Sequence, residues 1–205
     1  MKQMVTKFSI RNTRTVRNLS FFLLFTLCFS VLSCGQLGSN YPDEVFNKVM
    51  LNGNKIPMGF KEHFTEIRGQ LNAGSLVIVT KERKVKKVNA TEYVANHYIH
   101  MFDKDIKAIQ ELDVNAETKP ILAAALEMFL YADEIYKTDF PRIAKMIDDG
   151  RSDEEIDEAI AELDETKGPI VDEKYTIVYD LTIPYADKHG VEYELIEMPK
   201  PVNYK

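Results

Sequence analysis

The stretch IAKMIDDGRSDEEIDEAI, Ile143 to Ile160, decides the fold. An apolar stripe at helical spacing begins near Pro120, a favoured first helical position, and runs through Leu122, Leu126, Phe129, Tyr136, Phe140, Ile143 and Ile147. Gly150 ends it. Ser152-Asp153-Glu154-Glu155 then has the capping-box form, in which the serine side chain accepts from the backbone and the glutamate reaches back. A new stripe follows at Ile156, Ile160, Leu163 and Ile170. The turn between the two is short, so the helices should lie side by side and antiparallel.

Working outward, Val45, Val49, Ile56, Phe60, Phe64, Ile67 and Leu71 form an earlier stripe that Gly53, Pro57 and Gly59 interrupt, so this helix should be bent or split. Another stripe joins Val94, Tyr98, Met101, Phe102, Ile106 and Ile109. Four amphipathic segments predict an all-α fold, an up-and-down antiparallel four-helix bundle over residues 42–205. Two segments leave room for a small β addition: Leu76–Thr80, a β-branched run, and Tyr175–Ile183. The second also continues the last stripe through Ile177 and Leu181, which favours helix, with Pro184 kinking it and Gly190 closing it.

The amino terminus carries a different message. Lys2, Lys7, Arg11, Arg14 and Arg17, with no acidic residue among them, precede the apolar run Phe21–Leu32. That run has the length of a signal-peptide core and falls short of the roughly 20 residues a helical span needs. Its end, Val31-Leu32-Ser33-Cys34-Gly35, resembles the bacterial lipobox. The resemblance implies that Cys34 is lipidated and, after cleavage, becomes the new amino terminus. The expected organisation is residues 1–33 as a removed signal, 34–41 as lipidated cysteine and tether, and 42–205 as the folded domain. Cys28 leaves with the signal, so neither a disulfide framework nor a four-cysteine metal site is available. Several acyl chains on one residue would hold firmly, at about 0.8 kcal/mol per buried methylene. The membrane, through this lipid, is the first expected partner. Gly35 gives no acidic retention signal, which points to the outer membrane rather than the inner.

Charge narrows the partners further. The chain has 26 basic and 32 acidic residues; the five basic residues named above lie in the signal, leaving 21 against 32, or −11, on the processed chain. Such a surface repels phosphate backbones, so nucleic acid is not an expected partner. The cluster Lys81-Glu82-Arg83-Lys84-Val85-Lys86-Lys87 is the exception. It could touch anionic headgroups or lipopolysaccharide, but a solvated helix face or loop is the plainer reading.

The run Ile121–Asp149, the cap Ser152–Glu155, Asp172-Glu173-Lys174-Tyr175 and Pro184–Glu192 resemble a family of uncharacterised surface lipoproteins of spirochaetes and Bacteroidota. That resemblance implies a lipobox, a helical bundle and no catalytic residues. The chain departs from it at Pro57, Gly59 and Pro184, where the family keeps unbroken helix.

Chemical motifs are sparse. A di-iron bundle needs Glu-x-x-His pairs on two helices, and none occurs around His63, His97, His100 or His189. His63-Phe64-Thr65-Glu66 is similar to the Gly-x-His-x-x-Glu motif of imelysin-like bundle lipoproteins, with Lys61 where the glycine should stand. His97 and His100, three apart, are the candidate metal ligands, two nitrogens on one helix face for zinc or copper. No third ligand accompanies them, so no metal and no cofactor are expected. Asp148–Asp153 lacks the alternating oxygen ligands of a calcium loop. Nucleophile-elbow, phosphate-loop and dinucleotide signatures are missing as well, so no enzyme is expected. Tyr131, Tyr136, Tyr175, Tyr179 and Tyr185 could line a ligand groove, though a core or boundary role is the plainer reading. The expectation is a lipid-anchored envelope protein that binds or scaffolds an envelope protein partner. The alternative is a metal- or small-ligand-binding bundle in the periplasm or at the surface.

Overall fold

The computed structural model describes residues 3–6, 40–57 and 59–197. The expected signal core, the lipobox-like segment and Cys34 lie outside the described residues, as does all of the expected tether except Asn40 and Tyr41. The decisive turn forms as its residues require. Helix α5, Thr118–Asp148, ends where Gly150 adopts φ +69°, letting Arg151 N–H donate to Met146 O at 3.1 Å and Gly150 N–H to Ile147 O at 3.1 Å. Helix α6, Asp153–Lys188, starts from a complete capping box: Ser152 Oγ accepts from Glu155 N at 3.2 Å, and Glu155 Oε2 accepts from Ser152 N at 3.0 Å. The two helices pack antiparallel along their length.

The earlier segments are shorter. Helix α1, Tyr41–Phe46, runs directly into a π-helical turn, Asn47–Leu51. After the break around Pro57 and Gly59, helix α2 spans Lys61–Asn72. The second stripe is also divided, into α3, Ala90–His97, and α4, Asp103–Gln110. No proline or glycine stands between them; Tyr98–Phe102 turns so that Tyr98 and Phe102 both become buried. Side chains from all of these helices join one core, from Val45 in α1 to Val191 beyond α6.

One correction concerns β structure. The basic cluster is neither helix face nor simple loop but the end of a β-hairpin, in which β2, Val77–Val79, pairs antiparallel with β3, Val85–Lys87. Residues 175–183 are helical, and α6 continues through both Pro169 and Pro184 to Lys188. A second two-stranded sheet pairs β1, Gln3–Thr6, with β4, Glu194–Glu197. The sequence reading assigns β1 to the removed signal, so a processed chain would present β4 without this partner. No helix among the described residues is long and apolar enough to cross a membrane.

Candidate functional site

Three elements converge on an aromatic centre that contains one histidine. His63 from α2 lies between Tyr98, just past α3, and Tyr136 from α5. Its Nδ1 is 3.2 Å from the Tyr98 hydroxyl and its Nε2 is 3.3 Å from the Tyr136 hydroxyl. Phe140 stacks on Tyr136 with centroids 4.2 Å apart and touches His63 edge-on at 5.7 Å; Phe60, Phe64 and Phe102 complete the surround. Tyr136 and Phe140 are fully buried.

Burial biases all three groups, His63, Tyr98 and Tyr136, toward their neutral forms. Burial holds the His63 pKa below the ordinary imidazole value, against the opposing pull of Glu66, Asp164 and Glu62. Burial likewise raises the Tyr98 hydroxyl to about 12 and the Tyr136 hydroxyl further still. A neutral imidazole donates from one nitrogen and accepts at the other, so the two tyrosines satisfy it completely. Both nitrogens are occupied, and neither tyrosine ionises near neutral pH. His63 is therefore a half-buried, hydrogen-bonded polar group set into the aromatic centre.

The candidate metal pair does not share a helix face, because α3 ends at His97 and His100 lies in the turn beyond it. His97 stacks on Tyr93 at 4.1 Å and its Nδ1 contacts Tyr93 O at 3.1 Å, while His100 Nδ1 meets Asp103 Oδ2 at 2.7 Å. Among the described residues, no three His, Cys, Asp or Glu side chains gather as a metal site. Tyr131, Tyr175 and Tyr185 have separate surroundings, while burial and then the neighbouring Tyr179 raise the Tyr175 hydroxyl to about 12. Tyr131 lies under Lys174 at 5.5 Å, the Tyr175 hydroxyl donates to Asn54 at 3.2 Å, and Tyr185 tilts against His189 at 4.5 Å.

The acidic run contributes more structure than its sequence suggests. Asp148 accepts from Ala90 N at 2.9 Å and Thr91 N at 2.8 Å, capping α3 from the end of α5. Asp153 and Asp157 each hold Arg68 at 2.5 Å, and Asp164 accepts from Phe60 N at 2.6 Å. At the other end, the Tyr41 hydroxyl donates to Asp113 O and lies 3.4 Å from Thr118 Oγ1, while His189 Nε2 reaches Glu117 at 2.8 Å. The domain therefore has two poles. The chain enters beside the start of α5, and the β2–β3 hairpin sits with the start of α3 beside its end. Thirty-one helical residues separate them, about 45 Å.

Comparison with protein-family models, with curated proteins and with solved structures finds no match to the chain.

Proposed function

We propose that the protein is a lipid-anchored cell-envelope protein, held by acyl chains on Cys34, that acts as a binding or scaffolding module without catalysing a reaction. The observation that carries this reading is Val31-Leu32-Ser33-Cys34-Gly35 at the end of a short apolar run with five basic residues before it. Helix α1 begins at Tyr41, and the six residues between Cys34 and Tyr41 reach about 20 Å when extended. Such a tether keeps the domain near the bilayer and raises the local concentration for weak contacts.

In the same reading the helices form a four-helix up-and-down bundle with two divided members. The α1–π segment with α2 stands for the first helix, α3 with α4 for the second, and α5 and α6 for the others. The resemblance to the spirochaete and Bacteroidota lipoproteins belongs to this proposal, as does placement at the outer membrane with an envelope protein partner. The test is the intact mass of the chain recovered from a bacterial membrane, with radiolabelled palmitate as a second readout. The expected product begins at Cys34, carries acyl chains, and disappears in Cys34→Ser. A chain retaining residues 1–33 without acyl mass overturns the anchor.

A further inference from the structure

The β2–β3 hairpin combines three features that structure alone does not require. First, its outer face is apolar: Val79 and Val85 are cross-strand partners and remain 69% and 70% exposed. Ile78, on the opposite face, packs inward. Second, that exposed pair is surrounded by cations. Residues 81–87 contain five basic residues and one acidic residue, while the rest of the processed chain has 16 basic against 31 acidic. Lys86 pairs with Glu92 at 2.5 Å, but Lys81, Arg83, Lys84 and Lys87 form no ion pair among the described residues.

Third, the turn is built against its own preference. Thr80 N–H donates to Lys84 O at 2.8 Å and Arg83 N–H to Thr80 O at 2.9 Å, with Arg83 at φ +60°. This left-handed position in a short hairpin turn favours glycine, because a Cβ is strained there. A cation occupies it instead. Backbone strain of this kind is retained where the side chain has a use.

We infer that the hairpin is a docking surface for an anionic lipid bilayer. The valine pair enters the interface while the lysines and arginine meet the phosphates. An exposed apolar pair ringed by long cationic side chains matches the layered chemistry of a headgroup region, apolar beneath and anionic above. An acidic polymer would use the cations and leave the valines in water. Because the hairpin occupies the pole opposite the point where the chain enters, the bilayer it meets is one presented in trans to the amino-terminal attachment.

The test uses the full chain reconstituted into phosphatidylcholine vesicles and asks whether these capture labelled vesicles containing phosphatidylglycerol. Capture is expected for the anionic vesicles and not for pure phosphatidylcholine ones. Each basic residue near an anionic surface strengthens binding about fivefold, so Lys84→Ala with Lys87→Ala should weaken capture on the order of 25-fold. Val79→Ser should weaken it without any change of charge. Arg83→Gly separates docking from folding, since it relieves the turn and preserves the melting temperature yet lowers capture about fivefold. Equal capture of neutral vesicles, or capture indifferent to these substitutions, overturns the proposal. The intact mass of the same preparation reports Cys34 separately. Hairpin-dependent capture by an unacylated chain would overturn only the anchor, and failure with an acylated chain would overturn only the hairpin.

Discussion

Phe140→Ala should be among the most damaging single substitutions in the domain, and its size follows from the aromatic centre. Phe140 is fully buried and meets five rings: Tyr136 at 4.2 Å, Phe64 at 4.7 Å, Tyr98 at 5.1 Å, His63 at 5.7 Å and Phe60 at 5.9 Å. Truncating a buried phenylalanine costs about 3 to 5 kcal/mol through lost transfer energy and the cavity left behind. Several ring contacts are lost together here, so the upper part of that range, about 4 to 5 kcal/mol, is expected. Against a total of about 5 to 15 kcal/mol, that removes about a quarter or more of the stability. Urea unfolding should show a lower midpoint at unchanged slope. Tyr136→Phe, which deletes only the hydroxyl facing His63, should cost about 1 kcal/mol. The histidine adds a pH signature. Its folded pKa lies below 6.5, so the unfolded chain takes up the proton first. Its contribution is complete above about pH 6.5 and is lost as the pH falls through the depressed folded value. The difference between the parent and His63→Gln should therefore shrink on acidification. A Phe140→Ala loss below about 1.5 kcal/mol, or a His63 contribution that grows toward acid, would refute this account of the core.

Lys55→Met strands the Asp105 carboxylate, which is 4% exposed and receives Lys55 Nζ at 2.8 Å on both oxygens. Lys55 itself is half-exposed, so water softens the loss to about 2 kcal/mol in urea unfolding. Adding Asp105→Leu should restore most of it. Ser152→Ala removes the cap of α6 and should lower stability by about 1 kcal/mol, with Ser152→Gly losing only a few tenths.

The α5–α6 pair was legible because its signals are local. Gly150, Ser152 and Glu155 sit within six residues, and each acts on backbone groups of the same turn. Pro57 and Gly59 likewise announced the break before α2. The division of the second stripe was not legible, since Tyr98–Phe102 contains no helix-breaking residue; burial of Tyr98 and Phe102 against Tyr136 accompanies the turn. The His63 centre had no spacing signal either, because its hydroxyl partners lie 35 and 73 residues away. Pro184 reads as lying within the last helix and Gly190 as closing it; α6 runs through Pro184 to Lys188, with Tyr185 and Ala186 buried just beyond the proline. The hairpin was half visible. Leu76–Thr80 read as a strand by propensity, but β3 is Val-Lys-Lys, whose pairing depends on the turn at Thr80–Lys84.

The acidic excess of the chain opposes the proposed contact with an anionic bilayer, and the ion pairs limit that opposition at the hairpin. Many acids near the hairpin pole already have partners. Arg68 holds Asp153 and Asp157, Lys145 holds Asp149 at 2.8 Å, Arg151 holds Glu155 at 2.6 Å, and Asp148 faces backbone N–H groups. The four hairpin cations have no such partners among the described residues, so their field extends into solvent, while pairing weakens the fields of those acids without removing them: Arg68 offsets one of the two charges on Asp153 and Asp157, and Asp148 keeps its own. Range then depends on salt. At about 0.15 M the Debye length is about 8 Å, and an approaching bilayer senses the hairpin tip well before the acids farther along α5 and α6. At about 0.01 M it grows to about 30 Å, and the net negative charge, −6 on the full chain and −11 on one without residues 1–33, reasserts itself as repulsion. Near 1 M, at about 3 Å, the attraction of the cations is itself screened. Vesicle capture should therefore pass through a maximum at intermediate ionic strength. A monotonic rise toward low salt would instead mean that the whole surface acts as a cation, contrary to its composition, and would place the contact elsewhere.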